Sequence, residues 1–273
     1  MFSSAFICPV CRQPLVRSGE AYRCENGHSY DVSRYGYVNL LLSRQSGNKR
    51  HGDDGRMVRA RRDFLNGGSY QPLLDMIVSA ALERVEEPVS VLDAGCGEGW
   101  YLAGLAAEMD RREMSYAAAG IDISREALRY AANRGNFELA VASAFRMPVR
   151  DGDFDLLLNV FSPRAEKEFA RVLRPGGTLL CATPLARHLY GLKEILYEHP
   201  YENEAEDEQM EGFRLEDRLE LKYTIHVEGP DVENLFRMTP YYYKTGAEDQ
   251  KKLCGLGGLT TEVQFALTVY RKI

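Results

Sequence analysis

Residues 91–100 read VLDAGCGEGW and connect an apolar run to the beginning of a helical pattern. The run at 89–94 predicts a buried strand, and a helix is expected to begin near Trp100. The three glycines of the stretch let the backbone turn sharply and approach a ligand closely. A dinucleotide-binding fingerprint would have its third glycine at position 100, which is Trp100 here. The stretch therefore predicts a strand–helix turn that binds its ligand through a different pattern.

The segments after this loop alternate between strand and helix patterns. Apolar strands are predicted at 117–124, 137–143, 154–161 and 178–184. Two strands of alternating polarity are predicted near the end of the chain, at 219–227 and 262–272. Repeated strand–helix units of this length predict a Rossmann-like α/β fold with a mostly parallel, seven-stranded sheet that is covered on both faces.

Two acidic residues accompany the glycine loop. Asp93 precedes the first glycine, and Asp122 ends the next strand, where a carboxylate can hold ribose hydroxyls. The loop resembles the D-x-G-x-G-x-G sequence of class I methyltransferases, as does the RPGG turn at 174–177. In that family the loop wraps the methionine part of S-adenosylmethionine, and residues after the third strand contact the adenine. The resemblance implies these cofactor-binding residues: Asp93, Gly95, Gly97, Glu98, Gly99, Asp122, Ser143 and Ala144.

Potential metal ligands are concentrated at the start of the chain. The spacing Cys8-x2-Cys11-x12-Cys24-x3-His28 puts two close pairs on separate turns. Thiolate and imidazole ligands suit a tetrahedral zinc ion, and four protein ligands leave no open position for chemistry. So short a segment also has too little core to fold without such a site. We expect a structural zinc site, and the alternative is free cysteines beside a surface histidine.

The formal net charge of −6 conceals an asymmetry. Residues 1–62 contain 11 Lys and Arg against 5 Asp and Glu, a balance of +6, whereas the remainder has a balance of −12. A basic end on an acidic body predicts contact with a polyanion, although charge also fluctuates by chance along a chain. No apolar run is long enough to span a membrane, and the N-terminus lacks the pattern of a signal peptide. We therefore expect a cytoplasmic protein that does not associate with a membrane.

Three parts are expected along the chain. A zinc-binding RNA-recognition module at 1–38 and a methyltransferase domain at 69–273 are expected to have separate cores, joined by a basic linker at 39–68. The polar stretch 43–62 predicts a mobile linker, and Ser69 is expected to cap the next helix. The acidic stretch 202–212 is expected to be a solvated insertion. The basic residues expected to meet RNA are Arg44, Lys49, Arg50, Arg56, Arg59, Arg61 and Arg62.

Sequence elements along nearly the whole chain resemble one family. They are, in order, CPVCRQPL, CENGHSYDVSRYGYVNLL, RARRDFLNGGSYQPL, VLDAGCGEGWY, LRPGG and ATPLARHL. Together they resemble the bacterial 23S ribosomal RNA (guanine-N1)-methyltransferases, which include a macrolide-resistance branch. The resemblance implies a zinc-containing homodimer that transfers a methyl group from S-adenosylmethionine to N1 of a guanine, in a domain II hairpin of the 23S RNA. The acidic insertion and the C-terminal strands match least clearly.

The resemblance also implies roles for single residues. It makes the four cysteine and histidine residues of the N-terminal spacing the zinc ligands. It puts Tyr70, the segment Gly97–Gly99 and His188 around the cofactor. Without the family, we would favour a packing role for Tyr70 at a helix start and a helix-capping role for His188.

The methyl acceptor is constrained by motifs that the chain lacks. We find no Pro-Cys after the fourth strand and no Thr-Cys after the fifth, which excludes the usual cysteine nucleophile of cytosine-C5 methylation. The Asn/Asp-Pro-Pro-aromatic motif of amino-group methyltransferases is also absent. Asn159, Arg164 and Glu166 follow the fourth strand, where the acceptor usually lies, and are the catalytic candidates. Asn159 is also a cofactor candidate. Arg164 suits charge stabilisation at guanine O6, whereas we favour a solvated first-turn carboxylate as the explanation of Glu166.

Other functions are compatible with the same motifs. The chain could be a small-molecule methyltransferase or a different RNA methyltransferase, because a fold does not fix its substrate. A non-catalytic RNA-binding module with a retained cofactor fold is a further alternative, against which the intact Asp93, glycines and Asp122 argue. The sequence leaves open the general base, the modified guanine, macrolide resistance and the geometry of a dimer.

Overall fold

A computed structural model of the protein describes residues 4–42, 52–205 and 207–273. Its strands are β1 (Val16–Ser18), β2 (Ala21–Arg23), β3 (Ser29–Asp31), β4 (Val38–Asn39), β5 (Val89–Ala94), β6 (Tyr116–Asp122), β7 (Glu138–Val141), β8 (Phe154–Val160), β9 (Leu173–Pro184), β10 (Phe213–Glu228) and β11 (Gly258–Lys272). Its helices are α1 (Gly55–Asn66), α2 (Gln71–Leu82), α3 (Trp100–Arg111), α4 (Arg125–Ala131), α5 (Glu166–Val172), α6 (Tyr190–Leu196), α7 (Pro230–Arg237), α8 (Tyr241–Lys244) and α9 (Ala247–Lys251).

The central sheet has the strand order β10-β11-β9-β8-β5-β6-β7-β4. All neighbours from β9 to β4 are parallel, and β11 and β10 add an antiparallel edge. The Rossmann-like, mostly parallel sheet is thus confirmed, but it has eight strands in the described residues, so the prediction of seven is wrong. The additional strand is β4, where Val38 and Asn39 pair with Ala140 and Val141. A strand of two residues is too short to produce an alternating pattern in the sequence.

Successive residues of the central strands enter two apolar clusters, because side chains of a strand alternate between its faces. Val91 and Leu158 pack with helices α2, α3, α6 and α7 on one face. Leu92 and Leu157 pack on the other face, together with α5 and the N-terminal module. Both faces of the sheet are therefore buried, which is the usual state of a parallel sheet.

Helix α1 occupies the second half of the stretch that the sequence predicted to be a mobile linker. Its cap is Asp54, whose Oδ1 accepts hydrogen bonds from the backbone N–H groups of Arg56 and Met57 at 2.8 and 3.0 Å. Its apolar side, which includes Met57 and Phe64, is buried. The prediction is wrong here because four arginines lie between the apolar residues, so the helical spacing of the apolar residues was not recognised. The first half of the linker prediction, with Arg44, Lys49 and Arg50, lies outside the described residues.

Helix α2 begins at Gln71, after a Tyr70 cap position that makes no side-chain capping bond. Ser69 therefore does not cap this helix. Ser124 does cap a helix, α4, since its Oγ accepts a hydrogen bond from the Ala127 N–H at 3.3 Å. Helix α2 has less need of a cap than α4, because Pro72 in its first turn lacks the backbone N–H that a cap would satisfy.

The N-terminal module is docked on the central sheet. Phe6 is completely buried in the cluster that also contains Leu92. The Ile7 N–H donates to the Pro148 carbonyl at 2.8 Å, and the Tyr22 hydroxyl donates to Glu138 at 3.1 Å. The module therefore shares a core with the domain, and the expectation of separate cores is wrong.

The described residues of the acidic stretch 202–212 are mostly exposed, as expected of a solvated insertion, but several of them are anchored. The Asn203 Oδ1 accepts a hydrogen bond from the buried Lys193 at 2.8 Å, and the Glu208 carbonyl accepts one from Tyr270 at 3.0 Å. Met210 is buried. In the part of the chain that the structure describes, we find no helix that is long and apolar enough to cross a lipid bilayer.

Candidate cofactor and zinc sites

The glycine loop has a backbone that only glycine adopts readily. Gly95, Gly97 and Gly99 all have positive φ, at 94°, 55° and 84°. A Cβ at Gly95 would lie 2.4 Å from the Ser162 Cβ, and one at Gly99 would lie 3.0 Å from the Ala131 Cα. Gly97 differs, since its nearest neighbour would be the Arg61 Nη1 at 4.0 Å. The loop is thus packed at its two ends and open in its middle, as a ligand-binding turn requires.

The two predicted acids meet beside this open middle. The Asp122 Oδ2 accepts a hydrogen bond from the Gly97 N–H at 2.9 Å, and its Oδ1 accepts one from the Ser124 N–H at 2.7 Å. Asp93 is buried, and its Oδ1 has no hydrogen-bond partner in the described residues. Burial, followed by the charge of Asp122, raises the pKa of Asp93 to about 8. A buried acceptor without a donor fits a ligand that brings an ammonium or hydroxyl group, as S-adenosylmethionine does.

Glu98 is buried in the same loop and is held from outside it. Its Oε2 forms an ion pair with Arg134, whose Nε also donates to the Glu98 carbonyl at 3.0 Å. Burial raises the pKa of Glu98 even though Arg134 lowers it. The Oε1 of Glu98 has no partner among the described residues. Arg134 also donates to Asn66 at 3.0 Å, so it links the loop to the end of α1. No sequence pattern indicates this role of Arg134.

Asn159 lies at the carboxyl end of β8, against the start of the loop. Its Nδ2 donates to the Ala94 carbonyl at 3.3 Å and to the Ser162 Oγ at 2.5 Å. The Ser162 hydroxyl in turn donates to the same carbonyl at 2.6 Å. The amide is therefore fixed in one orientation beside the loop. Phe161 lies between these residues with a φ of 51° and is 44% exposed, which sequence reasoning did not anticipate.

Tyr70 and His188 are brought together and are both buried. The His188 Nδ1 accepts a hydrogen bond from the Gln264 N–H at 3.2 Å, so its proton is on Nε2, which donates to the Tyr70 hydroxyl at 3.3 Å. Burial, followed by the charge of Lys193, lowers the pKa of His188 to about 3, so the ring stays neutral. Phe265 packs on Tyr70, on His188 and on Phe161 at ring distances of 5.0, 4.7 and 5.7 Å. An aromatic cluster thus reaches from this pair to the exposed Phe161.

The remaining predicted residues fall into two groups. Ser143 and Ala144 come directly after Ala142, the residue that follows β7. The Ala142 N–H donates to the Asp122 carbonyl at 3.0 Å, so both residues lie beside the end of β6. Arg164 and Glu166 form an ion pair at 3.0 Å. Arg164 also donates to backbone carbonyls of the acidic stretch, including that of Gln209 at 3.2 Å. Arg164, one of the catalytic candidates, therefore holds the acidic stretch, and Glu166 pairs with it.

The four N-terminal ligands converge on one point. Their ligand atoms all lie within 4.8 Å of one another. The Cys11 and Cys24 Sγ atoms are 3.7 Å apart, close to the roughly 3.8 Å that tetrahedral coordination with zinc–sulfur bonds of about 2.3 Å requires. The Gln13 backbone N–H is the main cause that lowers the pKa of Cys11 to about 6, which favours the thiolate that binds metal. This donor set fits a closed structural zinc site.

Comparisons with known proteins match both sites. A family model for a zinc ribbon, described as RlmA, N-terminal, matches residues 6–46, and a methyltransferase domain model matches residues 91–177. A protein of Micromonospora griseorubida that is named as a 23S rRNA (guanine-N(1)-)-methyltransferase is 40% identical, over 69% of this chain and 68% of its own. The chain belongs to this family.

Two further members extend the comparison. A 23S rRNA (guanine(748)-N(1))-methyltransferase of Streptomyces fradiae is 40% identical over 69% of this chain and 66% of its own. A relative of the same family in Bacillus subtilis (strain 168) is 31% identical over 87% of this chain and 86% of its own. The predicted family is thus confirmed, and the chain combines a zinc ribbon with an S-adenosylmethionine-dependent methyltransferase domain.

Proposed function

We propose that the protein transfers the methyl group of S-adenosylmethionine to N1 of a guanine in a domain II hairpin of 23S ribosomal RNA. The observation that carries this proposal is the docking of a zinc ribbon on the same sheet that presents the cofactor loop. Both units would then face one RNA. The names of the relatives from Micromonospora and Streptomyces describe methylation of guanine N1, which supports the same reaction here.

The chemistry requires alignment more than activation. S-adenosylmethionine supplies an electrophilic methyl group, whereas guanine N1 carries a proton that must leave as the methyl group is transferred. Among the described residues, Asn159 makes its hydrogen bonds through Nδ2, so its Oδ1 is available to accept the N1–H or the amino group of guanine. An amide is not a base, so we assign Asn159 to orientation of the acceptor. Water then takes the proton.

The guanine must leave its hairpin stack to reach this site. Phe161 projects an exposed ring from a left-handed backbone position next to Asn159. Its ring is buttressed by Phe265 and Tyr101, with ring distances of 5.7 and 6.3 Å. Aromatic rings stabilise splayed bases by stacking, so we assign Phe161 as the surface on which the guanine rests. The ion pair of Arg164 and Glu166 would keep the acidic stretch beside it.

The larger organisation is proposed on the same basis. Residues 1–38 would recognise the RNA, and residues 69–273 would bind the cofactor and catalyse the transfer. Residues 39–68 would connect these two parts. The cofactor contacts would come from the loop, Asp122, Ser143 and Ala144, with Tyr70 and His188 beneath. The family resemblance supports a homodimer that acts in the cytoplasm, where ribosomal RNA is found.

Incubation of the protein with a domain II hairpin RNA and labelled S-adenosylmethionine tests the proposal. Label is expected in one guanine of the hairpin, and none is expected in an RNA of the same composition with the hairpin sequence scrambled. Equal labelling of both RNAs, or label in neither of them, would contradict the proposed substrate.

A further inference from the structure

The segment that precedes α1 lies over the end of β6, next to the cofactor loop. A Cβ at Gly52 would lie 2.8 Å from the Ile123 Cγ2, so this backbone is in close contact with the β6 end. The Asp53 carbonyl accepts a hydrogen bond from the Ser124 hydroxyl at 3.0 Å. Helix α1 therefore begins directly above the acids of the site, and it directs Arg61 to the open middle of the loop.

Arg61 is fixed in this position by two partners. Its Nη1 forms an ion pair with Asp53, and its Nη2 donates to the Met238 carbonyl at 3.0 Å. A guanidinium has five N–H donors, and the bonds recorded within the described residues use two of them. Its Nη1 also lies 4.0 Å from the position of a Cβ on Gly97. Donors of a charged, oriented group thus remain available beside the loop.

The charges around the site show what these donors are suited to bind. The loop and its surroundings contain two buried carboxylic acids, Asp93 and Glu98, and the half-buried Asp122. The methionine part of S-adenosylmethionine brings a carboxylate into this acidic surrounding, which is unfavourable unless a cation faces it. Arg134 is engaged by Glu98, and Arg62 pairs with Asp63 and stacks over Tyr130. Within the described ranges, Arg61 is the guanidinium that both points to the loop and keeps N–H donors without a protein partner there.

We propose that Arg61 binds the carboxylate of the methionine part of the cofactor, with Asp53 orienting its guanidinium. The inference rests on the cofactor site and not on the identity of the methyl acceptor. It also changes the role of a residue that the charge pattern alone had assigned to RNA. Two oxygens of a carboxylate match the fork of a guanidinium, which a lysine at this position would not reproduce.

The test compares two ligands that differ in the methionine part. S-adenosylhomocysteine carries the carboxylate, whereas 5′-methylthioadenosine lacks it and keeps the adenosine. Arg61→Gln is expected to weaken binding of S-adenosylhomocysteine by roughly 10- to 100-fold in calorimetry, which is the loss of a charged hydrogen bond. Binding of 5′-methylthioadenosine is expected to stay within about twofold. Arg59→Gln, an exposed position on the same helix, is the matched control and is expected to change neither affinity.

Equal weakening of both ligands by Arg61→Gln would overturn the proposal, because Arg61 would then shape the loop for any ligand. Unchanged affinity for S-adenosylhomocysteine would overturn it as well. If Arg61→Gln does not fold, Arg61→Lys gives the same comparison, with a smaller loss expected that is again confined to S-adenosylhomocysteine. No RNA is present in these measurements, so the result is independent of whether guanine N1 is the methyl acceptor.

Discussion

Asp93→Asn is expected to change how the free energy of unfolding of the cofactor-free protein depends on pH. Asp93 is 1% exposed and its pKa is raised from 3.8 to about 8, first by burial and then by the charge of Asp122. The folded protein therefore keeps a proton that the unfolded chain releases as the pH rises from about 4 to about 8. The free energy of unfolding falls through this window and levels off above it, since the unfolded state binds fewer protons.

The magnitude follows from the width of the window. One pKa unit corresponds to about 1.36 kcal/mol, so a rise from pH 5.5 to pH 8 removes about 3 kcal/mol through Asp93. For a chain of this size, 1 kcal/mol shifts Tm by about 2–4 °C, which gives a difference of about 6–12 °C. Asp93→Asn cannot ionise, so its Tm relative to wild type is expected to rise by this amount between the two pH values. Groups other than Asp93 titrate in both proteins, so their contribution cancels when the two Tm values are subtracted.

The assay is thermal unfolding of both proteins without cofactor at pH 5.5 and pH 8, with Asp75→Asn on the surface of α2 as a control that follows wild type. The variant is also expected to bind S-adenosylhomocysteine more weakly at pH 8, where the wild-type Asp93 carboxyl ionises and becomes a charged acceptor that the amide lacks. Parallel Tm profiles for Asp93→Asn and wild type would refute the reasoning, because the carboxylate would then not be held protonated by the fold.

Two further predictions concern the zinc ribbon and the acceptor side. Cys24→Ser is expected to lose its zinc by elemental analysis and to lower the Tm of the whole protein, because the ribbon shares the apolar cluster of the sheet. Cys254→Ser, at an exposed free cysteine, should retain zinc, and equal zinc content in both variants would rule out the ligand set. Phe161→Ala is expected to reduce methylation of the hairpin by roughly 5- to 100-fold at low RNA concentration, as loss of a stacking surface for one base implies. Its affinity for S-adenosylhomocysteine should stay unchanged, and Tyr243→Ala, another exposed aromatic, should retain full activity.

The local parts of both sites could be predicted from the sequence because their residues are close along the chain. Short turns form the glycine loop, the acid position at the end of β6 and the Cys/His spacing. Such turns can be recognised from the residue types and their spacing in the sequence. Asn159 was identified as a candidate because it lies at the carboxyl end of a strand of the repeating pattern. These assignments needed no knowledge of how distant segments pack.

The missed features depend on distant contacts. Arg134 reaches Glu98 across 36 positions, and Arg61 reaches Met238 across 177 positions, so neither contact leaves a pattern in the sequence. Helix α1 was missed because its arginines dominate the composition, although Asp54 supplies an ordinary capping signal. The shared core of the zinc ribbon and the sheet was missed because it depends on the two-residue strand β4 and on a few buried residues such as Phe6.

The identity of the methylated nucleoside tests the central claim most directly. Hairpin RNA that has been incubated with the protein and S-adenosylmethionine is digested to nucleosides and analysed by mass spectrometry against methylguanosine standards. The account predicts 1-methylguanosine, together with a stop of reverse transcription at the same guanine, because a methyl group on N1 blocks Watson–Crick pairing. Methylation at N2 or N7 of guanine, or at any other base, would contradict it.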